Sequence, residues 1–207
     1  LAGILTALRL CVHGHKVEII EKMSYPGGIS IISGGAFRFS TNWRQTYEYL
    51  KHTNASTAPH DLLEDISKRM EAIPAFMEQL CSQAGSKLKL IHVEDALRAK
   101  DYYDIQHYGF PGWQSLGTGY AIFEDNSIVS QYPNVTNSQH SSYGMHTYHT
   151  VYKCLQQKVD VQFGQRLERL IFKDDVVCGA IINGKPKHYD AVVLATGGFE
   201  NNPAMQK

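Results

Sequence analysis

Residues 1–22, LAGILTALRLCVHGHKVEIIEK, decide the fold of this chain. Apolar side chains recur at helical spacing as far as Val12, and Gly14 suits the left-handed conformation that commonly ends a helix. Residues 17–20 then predict a short buried strand that ends at Glu21. A parallel pair needs a second strand before the helix, so the pattern predicts the second half of a β-α-β unit whose first strand is absent.

The helix start and the acid after the strand have the spacing of a dinucleotide-binding unit. Gly3 stands where a glycine lets a helix pack tightly, and Glu21 follows 18 positions later. Unpaired N–H groups at a helix N-terminus attract a pyrophosphate, and a carboxylate at the strand end accepts hydrogen bonds from a ribose. A surface helix followed by any buried strand would show the same pattern, so this pair alone leaves both interpretations open.

Residues 26–35, PGGISIISGG, form a second glycine-rich stretch. Two Gly-Gly pairs and two serines offer bare backbone N–H groups and hydroxyls to phosphate oxygens or to a planar ring system. The alternative is a flexible loop, but a flexible linker would not contain three isoleucines. We therefore expect a packed cofactor loop, within a segment from residue 24 to residue 40 that contains no regular element.

Residues 191–202, AVVLATGGFENN, form a third motif. The apolar run Ala191–Ala195 predicts a strand inside a parallel sheet. Thr196, Gly197 and Gly198 would then place bare backbone at the carboxyl edge of that sheet, where open α/β folds bind ligands. A plain strand-to-turn junction is the alternative.

Between these motifs, periodicity predicts helices and short strands. A long helix should bury Leu62, Ile66, Met70, Ile73, Met77 and Leu80, and Pro74 should kink or divide it. Residues 98–143, dense in Tyr, Gly, Pro and Ser, predict a loop-rich insertion. The other predicted elements are helices over 42–53 and 144–157, strands over 159–163, 167–172 and 176–182, and a tight turn at Asn183-Gly184.

Composition excludes several classes of function. Twenty basic and twenty acidic residues balance, which disfavours a nucleic-acid-binding protein. The apolar runs are far shorter than the roughly 20 residues that span a bilayer. The four cysteines lack the paired spacing of a zinc or redox site, which favours a reduced, cytoplasmic chain, and any targeting segment would precede Leu1.

Two side-chain groups allow more than one interpretation. The histidines are His13 and His15 beside a helix end, and His140, His146 and His149 near a predicted helix; without a nearby carboxylate we predict no metal site. The aromatic cluster, Tyr102, Tyr103, Tyr108, Phe110, Trp113 and Tyr120, either lines a planar substrate or packs a long loop onto its domain, and we favour packing.

Together these segments resemble the FAD-binding family of fumarate reductase and succinate dehydrogenase flavoproteins, and within it the soluble ketosteroid dehydrogenase and tricarballylate dehydrogenase-like branch. The resemblance rests on residues 1–3, 21–22, 27–30, 33–35, the strands around Leu167, and residues 195–202. It implies an α/β fold, a Rossmann-like FAD-binding domain with a central parallel sheet, a β-meander and a helical, loop-rich insertion. Residues 1–41 and 144–207 would form part of that domain, residues 42–143 the insertion, and a substrate-capping domain would lie beyond residue 207.

The resemblance also implies a site. Glu21 would hold the adenosine ribose, Gly3 would pack beside the pyrophosphate, and the backbone of Leu167 would meet the adenine. The implied cofactor-binding residues are Ala2, Gly3, Glu21, Lys22, Gly27, Gly28, Ser30, Ser33, Gly34, Gly35, Leu167, Ala195, Thr196, Gly197 and Gly198. Ile29 stands where many relatives carry Asn, and no histidine lies between residues 24 and 40, so FAD should be bound non-covalently.

By the same resemblance, the protein would be an FAD-dependent oxidoreductase. It would transfer hydride between the flavin and a carbon–carbon bond next to a carbonyl or carboxylate of a small-molecule substrate. Catalytic residues would lie largely outside this chain, so none is assigned, the fragment alone would be inactive, and the electron partner stays open. Two alternatives are a non-catalytic carrier similar to Rab GDP-dissociation inhibitors and an NAD-binding dehydrogenase.

Overall fold

The chain forms five helices and eight strands among the residues that the computed structural model describes, which are 1–55, 57–98, 109–125, 128, 132, 141–198 and 203–205. The helices are α1 (Ala2–Val12), α2 (Trp43–Thr53), α3 (His60–Ala84), α4 (Val93–Arg98) and α5 (Ser141–Gln156). The strands are β1 (Ile19–Ile20), β2 (Phe37–Ser40), β3 (Lys87–His92), β4 (Leu116–Ile122), β5 (Val161–Gln162), β6 (Leu167–Lys173), β7 (Val176–Ile182) and β8 (Lys185–His188).

Helix α5 is the centre of the main hydrophobic core. Its Met145 and Leu155 are completely buried. They belong to a cluster that also takes Leu8 from α1, Leu80 from α3 and Ala121 from β4. Full burial of an apolar side chain of this size stabilises a fold by about 1.5–3 kcal/mol. Three other parts of the chain are therefore held in place by one helix.

Strands β1 and β5 form the parallel pair that the α/β prediction requires. Ile19 lies opposite Val161, and the Glu21 amide continues the ladder by donating to the Gln162 carbonyl at 2.9 Å. Each strand follows a core helix, β1 after α1 and β5 after α5. The pair is shorter than the predicted strands over 17–20 and 159–163, and residues 17–20 are half-buried or exposed where we expected burial.

The prediction of a loop-rich segment over 98–143 is wrong at β4, the central strand of an antiparallel β2-β4-β3 sheet. Glycines misled the sequence analysis, because a Cβ at Gly117 would lie 2.2 Å from the ring of Phe39 and one at Gly119 would lie 2.3 Å from the ring of Phe37. In this strand glycine makes room for aromatic rings from β2.

The expectation that residues 24–40 hold no regular element is also wrong, because they contain β2 and a short 3-10 turn, Gly28–Ile32. Both are short elements whose partners lie far away in sequence. Strand β2 pairs with β4, and the turn rests on α5.

Helix α3 differs from the predictions in two respects. It continues through Pro74, so the proline does not divide it, because packing against α2, β2 and α5 supports the helix. In its first half the buried residues are Leu63 and Ser67, whereas the predicted Leu62 and Ile66 are exposed. A serine can occupy this packed face because its hydroxyl donates to the Leu63 carbonyl at 2.7 Å.

Local signals for helix ends and turns are confirmed. Gly14 ends α1 with φ +80°, and the helix predicted over 42–53 is present as α2. The Asn42 side chain caps α2 by accepting from the amides of Arg44 and Gln45, a contact that was not predicted. Asn183 and Gly184 have φ +47° and +73°, the two positive values of a type I′ hairpin turn. That turn joins β7 to β8 in the antiparallel β6-β7-β8 meander. Among the described residues no helix combines the length and the apolar character that a membrane crossing requires.

The predicted strand Ala191–Ala195 is wrong. The segment forms no strand, and Val193 and Leu194 are each 56% exposed. A strand needs a neighbour that shares its ladder of hydrogen bonds, and none of the sheets in the described residues includes this segment.

One carboxylate joins the β-meander to the strand region of the parallel pair. Glu18, immediately before β1, accepts hydrogen bonds from Lys187 Nζ on β8 and from the Tyr189 hydroxyl. Partial burial acts to raise the pKa of Glu18, but the hydrogen bonds from Lys187 and Tyr189 outweigh it, and the pKa lies below the usual value of 4.5. The charged form therefore stabilises the docked meander.

We expect Glu18→Gln to lower the free energy of unfolding at pH 7 by about 0.5–1 kcal/mol, the scale of a partly exposed ion pair. Because the pKa is lowered on folding, this stabilisation is present above the usual value of 4.5 and is lost as pH falls through the folded value. Urea unfolding at neutral and at strongly acidic pH measures it. The control is Lys185→Met, which removes an exposed charge from β8, the strand that carries Lys187. If the free energies of unfolding of wild type and Glu18→Gln differ by the same amount at both pH values, the stabilisation does not come from the ionised Glu18 carboxylate.

Candidate cofactor site

The N-terminus of α1 lies next to two of the predicted site residues. The Leu1 amino group donates to Ser30 Oγ at 3.1 Å. The Glu21 carboxylate lies near enough to the Leu1 nitrogen to interact with it electrostatically. The first amides of α1, including those of Ala2 and Gly3, have no acceptor within the helix. Donors at a helix end, a serine hydroxyl and a carboxylate are thus brought together from three separate segments.

Glu21 is fixed by hydrogen bonds on its backbone and on its side chain. Its N–H donates to the Gln162 carbonyl, and its own carbonyl accepts from the Gln165 amide, both at 2.9 Å. Its Oε1 accepts from the Met23 amide at 2.9 Å. The carboxylate therefore has a defined position at the end of the parallel pair, and the adjacent Lys22 is exposed.

The start of the glycine-rich loop, residues 26–35, requires glycine. Gly27 has φ +120°, and a Cβ there would lie 2.3 Å from Ile31 Cγ2. Ile31 is 2% exposed and anchors the loop in the core, whereas Ile29 is 76% exposed. The expectation of a packed loop therefore depends on one isoleucine rather than three. Gly28 also has a positive φ, +51°, and is exposed.

The end of the loop packs against the backbone of α5. A Cβ on Gly35 would lie 2.2 Å from the Tyr143 carbonyl, and one on Gly144 would lie 2.4 Å from the Ser33 carbonyl. Ser33 Oγ donates to the Ser30 carbonyl at 2.8 Å and accepts from the Gly35 amide at 3.2 Å, so the loop also closes on itself. Gly34 stays exposed between these contacts.

Gly144 is a site-forming residue that the sequence analysis missed. A glycine inside a helix lowers helix stability, so its presence within the predicted helix over 144–157 was an available signal of close backbone approach.

Residues from the third motif reach the same helix end. A Cβ added to Gly3 would lie 3.0 Å from the Ala195 Cβ, so the extended segment after residue 190 passes directly beside the first turn of α1. Thr196, Gly197 and Gly198 follow in exposed positions, and Gly197 has φ +76°. Residues 199–202 of this motif lie outside the described residues.

Leu167 is the first residue of β6 and lies opposite Ile182. The chain reaches it from Gln165, whose amide is bonded to the Glu21 carbonyl. The meander therefore begins close to the end of β1, which brings the predicted adenine contact to the Glu21 side of the site.

The histidines have structural partners. His146 and His149 are buried in α5; His146 Nδ1 accepts from the Phe123 amide at 2.9 Å, and His149 Nδ1 bonds to the Tyr132 hydroxyl at 3.2 Å. Burial lowers the pKa of both imidazoles. In the described part of the chain no group of three His, Cys, Asp or Glu side chains could hold a metal ion. His13 and His15 are exposed, and His140 lies outside that part.

The described members of the aromatic cluster make packing contacts. Phe110 lies edge-on to Tyr49 at 6.3 Å, Trp113 packs against a small core of Tyr49, Val93 and Leu116, and Tyr120 lies 5.2 Å from the ring of Tyr143. These contacts favour the packing interpretation. Tyr102, Tyr103 and Tyr108 fall outside the described residues.

The residues at the N-terminus of α1 fit a dinucleotide. A side chain at Gly3 would be in tight contact with Ala195, and the first amides of α1 have no acceptor within the helix. Ser30 adds a hydroxyl, and Glu21 adds an acceptor at the end of the parallel pair. The donor set suits phosphate oxygens, and the carboxylate suits ribose hydroxyls.

We expect Gly144→Ala to lower the free energy of unfolding by about 1–3 kcal/mol, because the new Cβ would overlap loop carbonyls. In an unobstructed helix the same substitution stabilises by about 1 kcal/mol, so the sign of the change is diagnostic. Urea unfolding measures it. Gly34→Ala is the matched control, since nothing lies within 4 Å of a Cβ at Gly34, and it should be nearly neutral. A stabilised Gly144→Ala protein would contradict the close contact.

Comparisons with known proteins show the fold and the family of this chain. A search of curated proteins gave no match. The solved structure of 3-ketosteroid delta1-dehydrogenase from Sterolibacterium denitrificans, in complex with 1,4-androstadiene-3,17-dione, matches with a TM-score of 0.70 and 19% identity over 98% of this chain and 47% of that one. The 3-ketosteroid-delta4-(5alpha)-dehydrogenase from Rhodococcus jostii RHA1, in complex with 4-androstene-3,17-dione, matches with a TM-score of 0.60 and 13% identity over 89% of this chain and 41% of that one.

At these identities the two structures share the fold, and this chain spans less than half of each of them. A family model described as FAD binding domain matches residues 1–207, which is the whole chain. The match agrees with the α/β fold and with the resemblance found in the sequence. The chain belongs to this FAD-binding family.

Proposed function

We propose that the chain binds FAD non-covalently around the N-terminus of α1, as the cofactor-binding part of an oxidoreductase. The observation that supports this most strongly is the meeting of Gly3, Ser30, Glu21 and Ala195 at one helix end, although they come from four different parts of the chain. The non-covalent mode is supported by the sequence, since no histidine lies between residues 24 and 40.

In this proposal each segment has a separate role. The first amides of α1 and the Ser30 hydroxyl bind the pyrophosphate, with Ala2, Gly3, Gly27 and Gly28 leaving room for it. Glu21 accepts hydrogen bonds from the adenosine ribose and would repel a 2′-phosphate. The backbone of Leu167 contacts the adenine, and Lys22 lies at its edge. Ser33, Gly34 and Gly35 lie on the flavin side, and Ala195, Thr196, Gly197 and Gly198 close the cleft.

When bound, FAD supplies the hydride chemistry. The residues of this chain bind and orient the cofactor and exclude water from part of its surface. Backbone donors from a rigid helix suit this work because they need no reorganisation when charge develops. Residues 1–41 and 144–207 would form the cofactor-binding part, and residues 42–143 an insertion whose strand β4 pairs with β2 of that part.

We further propose that the complete protein transfers hydride between the flavin and a carbon–carbon bond next to a carbonyl or carboxylate. The two ketosteroid dehydrogenases with the same fold support this class and favour a ketosteroid over a dicarboxylate. Since the chain spans less than half of each, the 207 residues alone would bind FAD without turnover.

We expect Glu21→Gln to weaken FAD binding by about 1–3 kcal/mol, because it removes a charge-assisted hydrogen bond to the ribose. Quenching of flavin fluorescence on titration of the apo-protein measures the affinity, and a parallel titration with NAD tests the choice of cofactor. Glu124→Gln, which removes a carboxylate paired with Lys87 in the insertion, is the control and should bind FAD like the wild type. Unchanged affinity in Glu21→Gln would remove Glu21 from the site, and an FAD-free wild type would overturn the function.

The reaction class is tested by mixing FAD-loaded protein anaerobically with a 3-ketosteroid or with succinate and following the oxidised flavin band. In the complete protein, we expect the steroid to bleach this band and succinate to leave it unchanged. The 207 residues alone should keep the band with either compound. Bleaching by succinate would reassign the substrate class, and turnover by the 207 residues alone would show that the catalytic groups lie within them.

A further inference from the structure

The ladder between β2 and β4 stops at the glycine-rich loop. Phe37 lies opposite Gly119 and Phe39 opposite Gly117, and the Thr41 amide donates to the Ser115 carbonyl at 2.8 Å. Continuing this register by one more pair of odd-numbered residues places Gly35 opposite Ala121. In a regular antiparallel ladder the Ala121 amide would then donate directly to the Gly35 carbonyl.

A threonine hydroxyl from α5 takes the place of that backbone bond. Thr147 Oγ1 donates to the Gly35 carbonyl at 2.8 Å and accepts from the Ala121 amide at 3.4 Å. Thr147 is 5% exposed and Ala121 is fully buried, so water does not compete freely for these groups. The hydroxyl satisfies the hydrogen bonds of both backbone groups and keeps the segment at Gly35 apart from β4.

The Thr147 hydroxyl forms its hydrogen bonds outside its own helix. A threonine hydroxyl commonly bonds to a carbonyl one turn earlier in its own helix, as Thr150 Oγ1 does with His146 at 2.9 Å. The Thr147 hydroxyl bonds to the loop and to β4 instead. Thr147 lies three residues after Gly144, so both occupy the face of α5 that meets the loop.

We propose that Thr147 is a positioning residue that ends the β2–β4 ladder at Phe37 and turns the chain into the glycine-rich loop. Gly35 bends away from β4 with φ +70°, and the hydroxyl holds its carbonyl in that bent position. Ser33 and Ser30, which are bonded to each other, are thereby kept near the N-terminus of α1. The same hydroxyl couples the β2-β4-β3 sheet to the glycine-rich loop. The effect on cofactor binding rests on the proposed function.

The test compares Thr147→Val, Thr147→Ser and Thr147→Ala with Thr150→Val. Valine keeps the shape of threonine without its hydroxyl, whereas serine keeps the hydroxyl. We expect Thr147→Val to weaken FAD binding about 3- to 10-fold, the scale of one hydrogen bond, and Thr147→Ser to stay within about 2-fold of the wild type. Thr150→Val loses a buried hydroxyl from the same helix and should lower stability without changing FAD affinity.

Hydrogen exchange of the FAD-free protein gives a second measurement that does not depend on the proposed function. In Thr147→Val the amides of residues 33–37 and of Ala121 should exchange faster than in Thr147→Ser, and Thr150→Val should leave these amides as in the wild type. If Thr147→Val does not fold, Thr147→Ala and Thr147→Ser are compared on the same criteria, since they differ only in the hydroxyl.

If Thr147→Ser matches Thr147→Val and Thr147→Ala in both FAD affinity and hydrogen exchange, the hydroxyl of Thr147 does not position the loop. Equal effects of Thr147→Val and Thr150→Val on FAD affinity would reduce its role to general stability. A wild type that binds no FAD would end the proposed function, and the exchange rates would still decide whether Thr147 positions the loop.

Discussion

The contact between two bare backbones, the end of the glycine-rich loop and the first turns of α5, holds the candidate site in place. Gly35 and Gly144 approach the opposing backbone so closely that a single methyl group on either one would overlap a carbonyl. A contact of this kind tolerates little movement, because backbone atoms cannot change rotamer. The loop is therefore placed by the helix, and the helix is placed by the core.

Helix α5 can hold the loop in position because it packs against other elements on several sides. Its buried side chains contact α1 and α3 in the main core, and Lys153 donates to the Ala84 carbonyl at the end of α3 at 2.7 Å. His146 binds the chain just after β4, and Thr147 binds both β4 and the loop. Consecutive residues of one helix thus connect the β2-β4-β3 sheet with the glycine-rich loop.

Glycine has three different uses in this chain, and the sequence does not distinguish them. Gly27 and Gly184 are needed for positive φ, Gly117 and Gly119 for the space taken by aromatic rings, and Gly144 for close backbone approach. The glycine-rich composition of residues 24–40 and 98–143 predicted irregular structure, and this was wrong for β2 and β4, whereas Gly144 lies inside a helix that was predicted. The aromatic rings that explain Gly117 and Gly119 lie 78 and 82 positions away in sequence, at Phe39 and Phe37, and Ser33 lies 111 positions from Gly144.

The sequence by itself determined what depends on neighbours in the chain: the helix that ends at Gly14, the helix over 42–53, the Asn183-Gly184 turn, and a helix start followed 18 positions later by an acid, which is the spacing of a dinucleotide-binding unit. Only the tertiary structure decided that residues 116–122 form a central strand, that Ser67 and not Ile66 faces the core, that residues 191–195 form no strand, and that Gly144 and Thr147 shape the loop. The physical reason is range. Caps and turns form bonds within a few residues, whereas a ladder or a backbone contact exists only where a distant segment supplies the other half.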